Sequence, residues 1–417
     1  MSVKLYVALL STMSIFTAAH AQESIGRNPS VTLLMKEYSI SQQEAQLRVD
    51  LQAEIIAMSE KLNTESDAAY ADIYIQHEPV YKIIVSFADK KDRKAFIDQI
   101  DPKIRRYVQL KNTNKSRVDV NRNLDEITAS LSGSGINYFG GFDLPSSKFN
   151  ITVENSADVQ KIQGLLPANL KNDVVISVGP VPKTQAAPYG VVAGDGITGG
   201  TTVRDATNTS APYCTFGYAV NYTSGTTARR GILTAGHCTN ATMYFSVNNH
   251  WVTLHTPIVD RPPAAGTKYD YKIWEITGLT SNNKIYYRNL NSIPEFPASG
   301  TLSMTTITTF LNQKVGMVVC KSGATTGITC GKISNGNAIR NGAAGWITVT
   351  HTLQSDISEP GDSGGPWFLY PGTSTIISGV GIHTAGSGTA TGTGSLSMYM
   401  PIDYIDDHLS SVNTVKQ

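Results

Sequence analysis

Gly361-Asp362-Ser363-Gly364-Gly365-Pro366 places one serine inside a run of glycines. A serine hydroxyl is a poor nucleophile unless a base takes its proton and the oxyanion that forms is stabilised. Glycines on both sides let the backbone turn tightly enough for amide N–H groups to converge on one point. The Gly361 and Ser363 amides are the candidates for those donors, and a plain glycine–serine turn would not need the whole hexapeptide.

Such a serine requires a base elsewhere, and Leu233-Thr234-Ala235-Gly236-His237-Cys238 offers one. His237 ends a strand-like run and precedes a cysteine, so a disulfide can hold its backbone. A Cys214–Cys238 bridge would close a loop of 24 residues, which stabilises by roughly 3 kcal/mol in the loop-entropy picture. The third member should be a buried carboxylate that fixes the imidazole tautomer. Asp270 opens Asp270-Tyr271-Lys272-Ile273-Trp274-Glu275-Ile276, where a turn passes into a strand. Asp260 competes, but Arg261-Pro262-Pro263 follows it and no strand does. The chain order is therefore His237, Asp270, Ser363. That order differs from those of subtilisin and of the α/β-hydrolases.

The N-terminus reads as an export signal over residues 1–21. Lys4 precedes an apolar run from Leu5 to Phe16, and Ala19-His20-Ala21 forms a small-x-small cleavage pattern. The run is too short to span a bilayer, and no later stretch is long and apolar enough. The mature protein is expected to be secreted and free of the membrane. The 4 cysteines, Cys214, Cys238, Cys320 and Cys330, suit two disulfides in an exported protein. Four cysteines allow three pairings, and no CxxC spacing suggests zinc. A net charge of +1 gives no argument for nucleic acid or an acidic membrane. No metal or cofactor is expected, and a monomer is.

Composition divides the chain near residue 189. Residues 22–189 hold 20 Lys/Arg and 21 Asp/Glu in 168 positions, whereas residues 190–417 hold 13 and 12 in 228. Pro182-Lys183-Thr184-Gln185-Ala186-Ala187-Pro188 reads as an exposed linker and a processing site. The first part alternates helix and strand signals and is expected to be α+β. Ser41-Gln42-Gln43-Glu44 is a capping pattern, with Leu47, Leu51, Ile55, Met58 and Leu62 following at helical spacing. Tyr81 to Phe87 suits a strand, Arg93 to Ile100 a helix, Val159 to Leu166 a short helix, and Val174 to Val178 a buried strand. The second part is a series of short strands between Gly, Asn and Pro turns, including Phe216 to Val220, Trp251 to Leu254, Val315 to Val319, Trp346 to Val349 and Ile376 to Ile382. That spacing predicts an all-β sandwich or barrel.

Three stretches together resemble the bacterial chymotrypsin-like proteases, the branch of alpha-lytic protease and the streptogrisins. They are Leu233–Cys238, Val319-Cys320-Lys321-Ser322-Gly323-Ala324-Thr325-Thr326-Gly327, and Pro360–Trp367. The resemblance covers about residues 190–410 and implies two antiparallel β-barrels, a mainly β domain at 190–417, and hydrolysis of polypeptides. It implies a Cys320–Cys330 disulfide and a buried ion pair between Lys321 and Asp362. Residues 22–189 are similar to the pro-regions of that branch, which implies an intramolecular chaperone and inhibitor that is later cleaved off. Two departures stand out. No cysteines remain for the further disulfide that alpha-lytic protease has near its specificity pocket, and Lys272 takes the place of a small residue.

Specificity is expected from Gly379-Val380-Gly381-Ile382-His383-Thr384-Ala385-Gly386. His383 resembles the histidine of glutamyl endopeptidases, which implies cleavage after Glu or Asp, with Ser358, Thr384 and Gly386 completing the pocket. An imidazole can donate to such a carboxylate. Cleavage after medium apolar residues is the alternative. An inactive homologue serving as a binding protein is a further one, though such proteins usually lack a triad residue. A serine esterase would want a G-x-S-x-G elbow, and a metalloprotease H-E-x-x-H.

Overall fold

The computed structural model describes residues 28–65, 67–184, 198–205, 213–224, 226–238, 243–247, 250–254, 257–276, 282–293, 296–353, 356–370, 376–387, 395–409 and 412–414. The expected export signal, and the part of the linker from residue 185 to the boundary at 189, lie outside the described residues.

The second barrel closes on itself. Strand Ile376–Gly386 pairs with Pro366–Leu369, then Val318–Gly323, Gly327–Arg340, Ala343–Thr350 and Leu396–Pro401, which returns to Ile376–Gly386. Every pairing in this ring is antiparallel. Strand Ser299–Ile307 lies outside the ring and joins Ile376–Gly386 in parallel. Closure leaves the ring no free edge.

The first barrel is built from two antiparallel sheets. One runs Pro257–Arg261, Tyr271–Glu275, Thr227–Thr234, Ala219–Ser224 and Val412–Thr414; the other runs His250–Leu254, Met243–Val247, Thr202–Asp205 and Cys214–Thr215. Val203, Phe216, Ile232, Leu254 and Trp274 pack between them. Phe216–Tyr218 hydrogen-bond to Thr201 and Leu233 without entering a regular strand, which begins at Ala219 instead of Phe216. Gly217 packs closely here: a Cβ would press on Gly364 O and the Ile382 side chain.

The N-terminal part is α+β. Ser41 caps helix Gln42–Thr64 by accepting from the Glu44 amide at 3.2 Å. Leu51, Ile55, Met58 and Leu62 of that helix belong to one buried cluster with Val319, Ile333 and Ile347 of the second barrel. Strand Tyr138–Asp143 pairs with the barrel strand Gly327–Arg340, so the sheet runs on into the N-terminal part. Polar contacts cross the same seam: Lys314 Nζ lies 2.6 Å from Asp72, and the His77 imidazole bonds Gly316 O at 2.8 Å. Val174–Val178 forms a strand, but as the last one of this extended sheet it is not buried. Val175 and Val178 are 51% and 53% exposed.

Candidate active site

His237 follows strand Thr227–Thr234, and Asp270 immediately precedes its antiparallel neighbour Tyr271–Glu275. One strand's end and the next strand's start are thus side by side, which brings together residues 33 apart in sequence. Asp270 Oδ1 accepts from the His237 backbone N–H at 2.9 Å, and Oδ2 lies 2.8 Å from His237 Nδ1. The carboxylate therefore holds both the main chain and the ring of the histidine. Asp270 is fully buried. Burial would raise its pKa, but the His237 imidazole and the more distant Arg340 guanidinium hold it below the usual carboxylate range.

Ser363 comes from the opposite barrel, and its Oγ lies 2.7 Å from His237 Nε2. With Nδ1–H given to Asp270, Nε2 faces the serine as an acceptor, the arrangement required of a general base. Asp260 is placed elsewhere: it lies 3.6 Å from the buried Lys272, whose Nζ donates to Cys238 O at 2.7 Å. Lys272 thereby serves the backbone beside His237.

The serine loop needs its glycines. Gly361 has φ +103°, and a Cβ there would collide with Thr325 Oγ1 and the Tyr213 ring. Gly364 has φ +86°, and a Cβ would strike Thr215 O and Thr234 Oγ1. Thr215 ties this loop to the first barrel: its amide donates to Ser363 O and its hydroxyl to Gly361 O, each at 2.7 Å. Sequence reasoning did not single out Thr215, since a threonine beside a cysteine carries no motif.

Beneath the loop, Asp362 and Lys321 form an ion pair at 2.7 Å, both fully buried. Asp362 also accepts from the amides of Thr325, Thr326 and Glu359 and from the Thr326 hydroxyl. Burial opposes its charge, yet Lys321 and these donors hold its pKa below the ordinary value. Disulfides join Cys214 to Cys238 and Cys320 to Cys330.

His383, Ser358 and Thr384 are all fully buried behind the serine loop. The His383 amide donates to Gly365 O, and its carbonyl accepts from Gly364 N, both at 2.8 Å. Its Nδ1 faces Trp367 Nε1 at 3.4 Å and Ser397 Oγ at 3.2 Å, and Ser397 donates to Ser358 Oγ at 3.0 Å. Gly386 and Ala385 carry a short antiparallel partner from the N-terminal part, with Lys183 opposite Gly386 and Thr184 opposite Ala385.

No family model matches the chain. It is similar to streptogrisin-A of Streptomyces griseus, with 29% identity over 202 residues, 48% of this chain and 56% of that protein. It is also similar to serine protease 2 of Streptomyces fradiae, with 30% identity over 179 residues, 42% of this chain and 87% of that protein. Among solved structures, the Nocardiopsis protease aligns at a TM-score of 0.37 and 22% identity, over 53% of this chain and 99% of that one.

Proposed function

The chain belongs to the bacterial chymotrypsin-like serine proteases, and from that premise we propose a secreted endopeptidase, made as a precursor, that uses His237, Asp270 and Ser363. The observation that carries this reading is the unbroken line Asp270–His237–Ser363, with contacts of 2.8 and 2.7 Å. His237 Nε2 takes the Ser363 hydroxyl proton as Oγ bonds to the peptide carbonyl carbon. The carbonyl oxygen becomes an oxyanion held by the Gly361 and Ser363 N–H groups. The imidazolium, steadied by Asp270, then protonates the leaving amine, and the C–N bond breaks to leave an acyl-enzyme. Water repeats the sequence with His237 as base, releasing the acid and restoring Ser363.

Residues 22–189 act in this reading as a pro-region, behind an export signal at 1–21. Two contacts support it. Strand Tyr138–Asp143 extends the second barrel's sheet, which suits a folding template. Lys183 and Thr184 lie on the strand edge beside the serine loop, where a substrate backbone would pair, which suits an inhibitor. Ser358, His383, Thr384 and Gly386 form the specificity pocket. Within it, His383 donates to the acidic side chain of a Glu (or Asp) before the scissile bond; cleavage after medium apolar residues is the alternative.

The test is hydrolysis of a peptide panel by the secreted wild-type protein and by Ser363→Ala. Cleavage confined to the wild type is expected. Equal cleavage by both would contradict the reading.

A further inference from the structure

The seam between the N-terminal part and the second barrel is closed by a histidine whose two nitrogens are both committed. His77 follows strand Tyr70–Gln76 and is only 8% exposed. Its Nε2 lies 2.8 Å from Gly316 O on the barrel, and a carbonyl only accepts, so Nε2 carries the hydrogen. Its Nδ1 lies 3.5 Å from Arg48 Nη1, and a guanidinium only donates, so Nδ1 presents its lone pair. Arg48 Nη1 also donates to His77 O at 3.1 Å. Tyr38 stacks on the ring at 4.9 Å, and Tyr81 tilts against it at 5.8 Å. Beside it the Ile75 amide donates to Val315 O at 2.9 Å, and Gly316, at φ +88°, has no space for a Cβ against Ile75. The imidazole is a neutral, buried joint.

Its surroundings oppose a second proton. Arg48, from helix Gln42–Thr64, is paired with Glu44 at 2.8 Å; Lys332, from barrel strand Gly327–Arg340, is paired with Glu37 at 3.2 Å and bonded to the Tyr38 hydroxyl. Glu78 lines the same cavity as His77, but neither ring nitrogen bonds a carboxylate. Burial, the largest influence, and the Lys332 and Arg48 cations push the His77 pKa from 6.5 down to about 4, against the opposing pull of the Gly316 carbonyl. Opening the seam carries Lys332 away and lets water reach the ring. The Lys314–Asp72 contact across the same seam behaves differently. Burial would raise the Asp72 pKa, but Lys314 and Arg117 hold it below the ordinary carboxylate range. Mild acid therefore acts on His77 and leaves Asp72 charged.

We propose that His77 is an acid-sensitive latch: a proton on Nδ1 sets the buried ring against Arg48 and Lys332, and the N-terminal part is released from the second barrel. This rests on reading residues 22–189 as a pro-region that stays bound after it is cut. The closed seam holds His77 with fewer protons than the open one does. Closure is therefore at full strength above pH 6.5 and weakens as pH falls from there toward 4.

The test is amide hydrogen exchange in full-length Ser363→Ala protein at pH 7.5 and pH 5, corrected for the intrinsic rate and read over residues 70–77. Protection there should fall about 25-fold at pH 5, the linkage that a pKa moving from 6.5 to about 4 supplies, while residues 343–350 inside the barrel stay protected. His77→Gln keeps an N–H for Gly316 O and cannot titrate, so its protection should be the same at both pH values. Unchanged protection in the His77 protein, or an equal loss in His77→Gln, would overturn the proposal. Nitrogen-15 NMR of the histidine-labelled protein makes the same test without His77→Gln: a neutral His77 ring at pH 5 with the seam closed supports the latch, and an imidazolium there overturns it. Active secreted enzyme that still carries residues 28–184 would remove the pro-region reading, and the release step with it, whatever the seam does.

Discussion

Thr184 lies directly opposite Ala385, on the strand whose His383 bonds the serine loop. The end of the N-terminal part is therefore held against the segment proposed to bind substrate. Its Thr184–Gln185 and Gln185–Ala186 bonds are the next in the chain. We expect the secreted enzyme to begin within a few residues after Thr184, and Ser363→Ala to accumulate at precursor length. Edman sequencing of both products checks this. A processed Ser363→Ala protein would assign the cut to another protease.

Asp270 supports His237 through two separate bonds, one to the backbone and one to the ring. Asp270→Asn keeps the shape but offers an amide N–H where an acceptor is needed, so the imidazole is turned to the wrong tautomer. A fall in kcat of about 10⁴ is expected with KM nearly unchanged. Steady-state kinetics on one good peptide measures it.

Removing the cation beneath the serine loop should be felt as lost stability. Lys321→Met leaves the buried Asp362 charge without its partner, at a cost of about 3–5 kcal/mol, read from the denaturant midpoint. The pH dependence follows from the direction of the Asp362 shift. Its folded pKa lies below its unfolded value, so its contribution is fully present above the ordinary carboxylate range. That contribution is lost as pH falls through the lower, folded value. Wild type should therefore lose this contribution as pH falls below the ordinary carboxylate range, and Lys321→Met should lack this part of the acid dependence.

Gly361→Ala tests the turn that aims the amides. Its φ of +103° and the crowding by Thr325 and Tyr213 leave no room for a methyl group. The loop must shift, and loss of one oxyanion donor lowers kcat by about 10²–10³. Active-site titration beside steady-state assays separates this from misfolding.

Much of this architecture was legible in the sequence because motifs are local. The glycines around Ser363, the cysteine after His237 and the turn before Asp270 each identify themselves within a few residues. The relations between distant segments were less accessible. Nothing in Trp367 announces that its N–H faces His383, because that contact depends on the pairing of Pro366–Leu369 with Ile376–Gly386. The apolar run Val174–Val178 suggested burial, yet its exposure follows from its place at the end of a sheet, which no local pattern encodes. Continuity of that sheet across both parts of the chain was likewise invisible, since composition marks residues 22–189 as a separate unit.

The central claim is that Ser363 is a nucleophile activated by His237 across 2.7 Å. Labelling the secreted protein with a fluorophosphonate, followed by peptide mass mapping, tests it most directly. The account predicts a single modified residue, Ser363, with labelling abolished in His237→Ala. An unlabelled Ser363 in folded protein, or labelling that persists without His237, would contradict it.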